Sequence, residues 1–124
     1  MKTLLMCVLI TLLTNSLVDG RHFEPIGCFQ DRNQSRALPE LLANYRPLIK
    51  WKTQDFSEIV SMCAEKANQN DYQVFGMQFY GECWSGPSGG VTYDEYGPSD
   101  NCVQNASRPV GKDWANFVYY VPPS

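Results

Sequence analysis

Beyond residue 20 the chain carries four cysteines, Cys28, Cys63, Cys83 and Cys102. In so short a chain, an even set of thiols constrains the fold more than any other feature. The residues before them set the compartment. Met1-Lys2 is a short basic start, Leu4 to Leu13 is an apolar run containing Cys7, and Val18-Asp19-Gly20 puts small residues just ahead of a cut before Arg21. This is the pattern of a secretory signal peptide over residues 1–20. The run falls short of the roughly 20 apolar residues that span a bilayer, and no later segment is apolar enough to do so. Residues 21–124 are therefore expected to be secreted and extracellular, and to fold as one domain with its cysteines oxidised.

A domain of this size buries a modest core, which two disulfides would supplement by about 2–4 kcal/mol each. Removing the leader takes away Lys2 and Asp19, so the net charge stays at −3. Acidic and basic residues are interspersed, and no basic stripe of the kind nucleic acid requires is present. Asn33-Gln34-Ser35 and Asn105-Ala106-Ser107 are N-glycosylation sequons, which makes Asn33 and Asn105 candidate glycan sites.

Periodicity predicts the elements. Phe23 to Gln30 reads as an entry strand and Asp31 to Ser35 as a polar turn; Arg36 to Pro47 is ambiguous, with Glu40 to Asn44 able to form a short helical turn that Pro47 stops. In Asp55 to Gln69, the residues Phe56, Ile59, Val60, Cys63, Ala64 and Ala67 form one continuous helical stripe. Asp55 suits the N-cap and Glu58 the third helical position. Gln73 to Cys83 reads as a strand in which Phe75, Met77 and Phe79 share a face. If the alternation passes Gly81 unbroken, Cys83 joins that face. A helix packed there brings Cys63 to Cys83 and leaves Cys28 to pair with Cys102, one of three possible pairings; a bulge at Gly81 would undo it. Ser85 to Gly90 reads as a flexible loop, Val91 to Asn101 as an ordered irregular one, and Ala115 to Val121 as a closing strand. The expected class is α+β: one amphipathic helix on a small antiparallel sheet, two disulfides and long irregular loops.

Several segments together resemble the WSC domain. They are Gly27-Cys28-Phe29-Gln30-Asp31, Arg36-Ala37-Leu38, the helix around Cys63, Phe75-Gly76-Met77-Gln78, Gly81-Glu82-Cys83-Trp84-Ser85-Gly86 and Asn116-Phe117-Val118-Tyr119. They follow the family's order and spacing over nearly all of residues 21–124. Two family cysteines are replaced, by Ala67 one helical turn after Cys63 and by Ser85 two residues after Cys83. If those positions form a bridge in the family, both partners are gone together. The result resembles a reduced four-cysteine variant found in secreted proteins of marine invertebrates, and it shares with PAN/apple domains a helix stapled to a sheet. The resemblance implies extracellular binding of carbohydrate or protein, without catalytic residues or cofactors.

Local sequence points to a binding surface beside the Gly-rich loop. Trp84 follows the strand cysteine, and pleat alternation turns it away from the face holding Cys83. With Tyr80, Tyr93 and Tyr96 it would form a stacking platform, and Glu82, Asp94 and Asn101 would supply hydrogen bonds, the mixture a sugar site needs. The competing expectation makes Trp84 the cover of a satellite core. Asp94, Glu95 and Asp100 match no known calcium loop, and a solvated acidic loop is the simpler reading. Trp51, between Lys50 and Lys52, is expected to pack over the helix, and Trp114 to lie in the core.

Enzymatic readings find little support. His22 is the one histidine and sits next to the expected cleavage site, which removes triads and most zinc chemistry. Oxidised cysteines leave no thiol nucleophile, and a carboxylate pair such as Glu82 with Asp94 is common on any surface. The expected function is a secreted binding module for a glycan or an extracellular protein. A structural component of an extracellular or skeletal matrix and a secreted toxin or defence effector are the alternatives.

Overall fold

The computed structural model describes residues 22–123. The leader expected over residues 1–20 lies outside them. Seven strands and two helices are defined: β1 (Glu24–Gln30), β2 (Glu40–Asn44), α1 (Ser57–Gln69), β3 (Val74–Gln78), β4 (Glu82–Ser85), α2 (Gly89–Thr92), β5 (Cys102–Val103), β6 (Val110–Gly111) and β7 (Ala115–Tyr120). Five strands form an antiparallel sheet in the order β1-β7-β3-β4-β2, and β5 and β6 make a separate two-stranded ribbon. One main helix on an antiparallel sheet with two disulfides is the α+β architecture that the periodicities predict.

The helix forms where the apolar stripe lies. Ile59, Val60, Cys63, Ala64 and Ala67 are its buried residues, packed with Phe75, Met77, Phe117 and Tyr119 from β3 and β7. The helix starts one residue later than an Asp55 N-cap would give, with Phe56 at the N-cap. Asp55 still serves this end: its Oδ1 accepts the Ser57 N–H at 3.0 Å, and hydrogen bonds from Ser57 hold its carboxyl below the usual range.

The long strand expected from Gln73 to Cys83 is instead a hairpin. Phe79 and Tyr80 adopt left-handed φ values of 48° and 70° and turn the chain, so β4 pairs back on β3. Aromatic residues seldom occupy this region, and the structure ties them in place: the Phe79 and Tyr80 amides donate to the Lys112 and Gly111 carbonyls. Met77 stands opposite Cys83 across the hairpin. Directly paired residues share a face, so Cys83 reaches the helix side by cross-strand pairing, not by continued alternation. Cys63 bonds Cys83 with Cα atoms 5.5 Å apart, and Cys28 bonds Cys102.

Two other expectations are corrected. Glu40 to Asn44 is an edge strand rather than a helical turn, pairing with β4. A 3₁₀ turn follows at Arg46–Leu48 with Pro47 in its first turn. The Gly-rich loop is not free: Ser85 belongs to β4 and donates to the Val74 carbonyl at 2.6 Å, and Gly89–Thr92 forms a short helix. The second face of the sheet is covered too, by the 31–38 segment and by α2. Leu38, Val74, Trp84 and Val118 form a buried cluster there, flanked by Phe29 and Tyr93.

Candidate functional site

A buried carboxylate organises the second face. Asp31 leaves β1 at its C-terminal end, and its side chain is fully buried. It accepts hydrogen bonds from the Ala37 amide at 2.9 Å, from Gln78 Nε2 at 2.7 Å and from Arg36 Nη1 at 3.2 Å. Gln78 Nε2 also donates to Asn116 Oδ1 at 3.1 Å, and Gln78 Oε1 receives Arg36 at 3.4 Å. The Asp31 amide donates to the Trp114 carbonyl at 3.0 Å. One residue thereby fixes the loop that covers the sheet and the turn that precedes β7. The pairing strand supplies room for this network through Gly76, where a Cβ would come within 2.9 Å of the Asn116 side chain.

Above the network lie two indoles and a guanidinium. Arg36 sits 4.0 Å from the Trp84 ring centroid and 5.1 Å from that of Trp114. Trp84 points away from the helix face, as alternation predicts, but only 9% of it is exposed. Its ring is covered by Arg36, and its Nε1 donates to Glu82 Oε1 at 3.2 Å. The ring is therefore the roof of the satellite core and not an open platform. Trp114 reverses the opposite expectation: it is 48% exposed rather than core, at a left-handed φ of 56°. Asn101 fixes that turn by donating from Nδ2 to the Asp113 carbonyl at 2.8 Å, while its own carbonyl accepts the Lys112 amide.

The exposed indole stands between two concavities. A cleft of about 250 Å³ is lined by Arg36, Gln78, Phe79, Glu82, Asp113 and Trp114. A shallower depression of about 750 Å³ shares Asp113 and Trp114 and extends over Asp100 and Asn101. A flat apolar ring here meets carboxylate acceptors, amide groups and guanidinium donors. That set can grip a polyhydroxylated ring by one apolar face and several hydroxyls.

The predicted surface is divided by the fold. Glu82 lines the cleft and Asn101 the depression. Tyr93 packs edge-on against Phe29 with centroids 5.2 Å apart, beside the satellite core. Tyr96 lies at a separate hollow with Arg32 and Ser35. Tyr80 sits in the hairpin turn against Trp51, which is 48% exposed instead of covering the helix. Asp94 is exposed, and its carbonyl accepts the Gly97 amide. Asp94, Glu95 and Asp100 do not converge: among the described residues no group of three or more His, Cys, Asp or Glu side chains could hold a metal ion. The sequence reading missed Arg36, Gln78, Asp113 and Trp114. The signal for Trp114 was its place after Gly111-Lys112-Asp113, a polar turn in which a large side chain has no neighbouring layer to enter.

Each arginine among the described residues lies over an aromatic ring. Besides Arg36, Arg32 is 4.4 Å from the Tyr96 centroid, Arg46 is 3.9 Å from Phe79 and Arg108 is 4.5 Å from Phe23.

No family model and no curated protein matches the chain. The similarity to WSC domains thus rests on the short motifs quoted above.

Proposed function

We propose that this protein is an extracellular, WSC-like binding module whose ligand is a glycan, held at the Trp114 cleft. The observation that carries the reading is the half-exposed indole, fixed by the Asn101–Asp113 bond and flanked by Glu82, Arg36 and Gln78. A ring presented in this way loses little entropy on binding and offers an apolar surface to the C–H face of a sugar. The disulfides are compatible with an extracellular protein, and no helix among the described residues is long and apolar enough to cross a membrane. Exposed Asn33 and Asn105 leave both sequons open to glycosylation in a secretory compartment.

The test is a glycan array probed with refolded protein, followed by calorimetry on the best ligand. Trp114→Ala is expected to weaken binding by about 1–3 kcal/mol and to change the melting temperature little, because half the ring already faces water. Trp84→Ala is expected to do the reverse, costing about 3 kcal/mol of stability or more. Absence of binding to every glycan class, or unchanged affinity in a folded Trp114→Ala variant, would refute the site.

A matrix role through protein contacts is the second reading. It is favoured by exposed Leu48 and Trp51, which flank Lys50 at the opposite end of β4 from the Gly-rich segment.

A further inference from the structure

We propose that Asn33 carries an N-linked glycan whose first N-acetylglucosamine packs on the ring of Tyr96, so that the sugar completes this corner of the fold. The inference is independent of the Trp114 cleft and requires only that the chain enter a secretory lumen, as its leader implies. Asn33 is exposed in the turn after β1, and its sequon has glutamine, not proline, in the middle. A hollow of about 490 Å³ opens beside it, lined by Arg32, Asn33, Gln34, Ser35 and Tyr96. Tyr96 comes from a segment 61 residues away and donates its hydroxyl hydrogen bond to the Ser35 carbonyl. Arg32 lies over its ring at 4.4 Å. The aromatic is therefore held from its hydroxyl end and from one face, directly beside the acceptor amide.

Transfer forms a bond from Asn33 Nδ2 to the anomeric carbon of N-acetylglucosamine. It breaks the bond from that carbon to the diphosphate of a lipid-linked oligosaccharide donor. The lipid diphosphate leaves with the electron pair, and the amide gives up one proton. Transfer acts on the nascent chain, so occupancy follows the sequon while packing follows the fold. Once folded, the sugar attached at Asn33 has the hollow within its reach, and its C–H face meets an aromatic partner there. Asn105 is also exposed, but its sequon is tied differently: Ser107 Oγ lies 3.1 Å from Ser57 Oγ at the start of α1. A glycan at Asn105 is expected to project freely.

The test uses the full chain secreted from a eukaryotic host. Glycopeptide mass spectrometry should find Asn33 occupied. Protein trimmed enzymatically to one N-acetylglucosamine should melt with the intact glycoprotein, and Asn33→Gln about 4 °C lower. Asn105→Gln should leave the melting temperature unchanged. In a Tyr96→Ala background the Asn33 glycan should no longer shift it, whereas Tyr96→Phe, which keeps the ring, should preserve the shift. Because Tyr96→Ala also loses the bond to Ser35, the unaltered glycoprotein supplies a second readout: sugar ring protons shifted upfield by the aromatic ring current. An unmodified Asn33, a glycan effect that survives Tyr96→Ala, or sugar protons at their free-glycan shifts would overturn the proposal.

Discussion

Asp31 shows how much one side chain can settle. Its carboxylate is fully buried, yet it has three donors from two segments, one of them a charged guanidinium. Burial of such a group is tolerated only when it is paired and bonded. Asp31→Ala is expected to cost about 3 kcal/mol, because it strands Arg36 and Gln78 under the covering loop. Urea denaturation should show that loss, and near-ultraviolet circular dichroism should show Trp84 released. The residue was legible as a turn residue, since aspartate after a strand commonly begins one. Its network was not, because its partners lie 47 residues ahead at Gln78 and across the sheet at Asn116. Trp114 was legible only in part, through its place after the polar Gly111-Lys112-Asp113 turn. Side-chain identity alone cannot distinguish a buried indole from an exposed one when the backbone enters the left-handed region just before the strand.

At the scale of elements, α1 was readable because a periodic stripe of six residues marks the face it buries, and the structure buries that face. The β3–β4 turn was not readable, since its two left-handed positions hold Phe79 and Tyr80 where glycine or asparagine would be the usual signal. Helix and strand geometry also bears on Ala67 and Ser85, the two positions where the WSC pattern would place further cysteines. Ala67 follows Cys63 by one helical turn, about 6 Å of rise, and Ser85 follows Cys83 by two strand residues, about 6.6 Å. Both sit toward the C-terminal end of α1: the Ala67 carbonyl accepts the Tyr72 amide, and Ser85 donates to Val74. Both are completely buried. Ala67→Cys combined with Ser85→Cys is therefore expected to form a further helix–sheet bridge. Intact mass without reduction should lie six hydrogens below that of the fully reduced form, two for each of three bridges, and free-thiol labelling should be absent.

Across the whole molecule, the two bridges do different work. Cys28–Cys102 closes 74 residues of sequence and Cys63–Cys83 closes 20. The chain-entropy relation gives about 4 and 3 kcal/mol respectively, so reduction should unfold a domain of this size at moderate temperature. Alkali should act through the tyrosines. Burial holds the Tyr119 hydroxyl well above its ordinary range and also raises Tyr45, while the hydrogen bond to Glu40 raises Tyr72. Folded protein therefore holds these protons more tightly than unfolded chain. The stabilisation is complete below the unfolded tyrosine value of about 10 and is lost as pH climbs past it toward the folded values. Urea midpoints measured from pH 8 to pH 11 should fall above pH 10, and less steeply for Tyr119→Phe. The stacked arginines carry a consequence for how this surface can change. Lys52 and Lys66 stand in solvent, and trading either for glutamate alters chiefly what the exterior attracts or repels. Each described guanidinium instead works as a roof tile over an arene, and the compact, strongly hydrated ammonium of lysine makes a poor substitute. Among the described residues two classes of positive charge thus stand apart, one free to vary with the partner outside and one bound to the architecture beneath it.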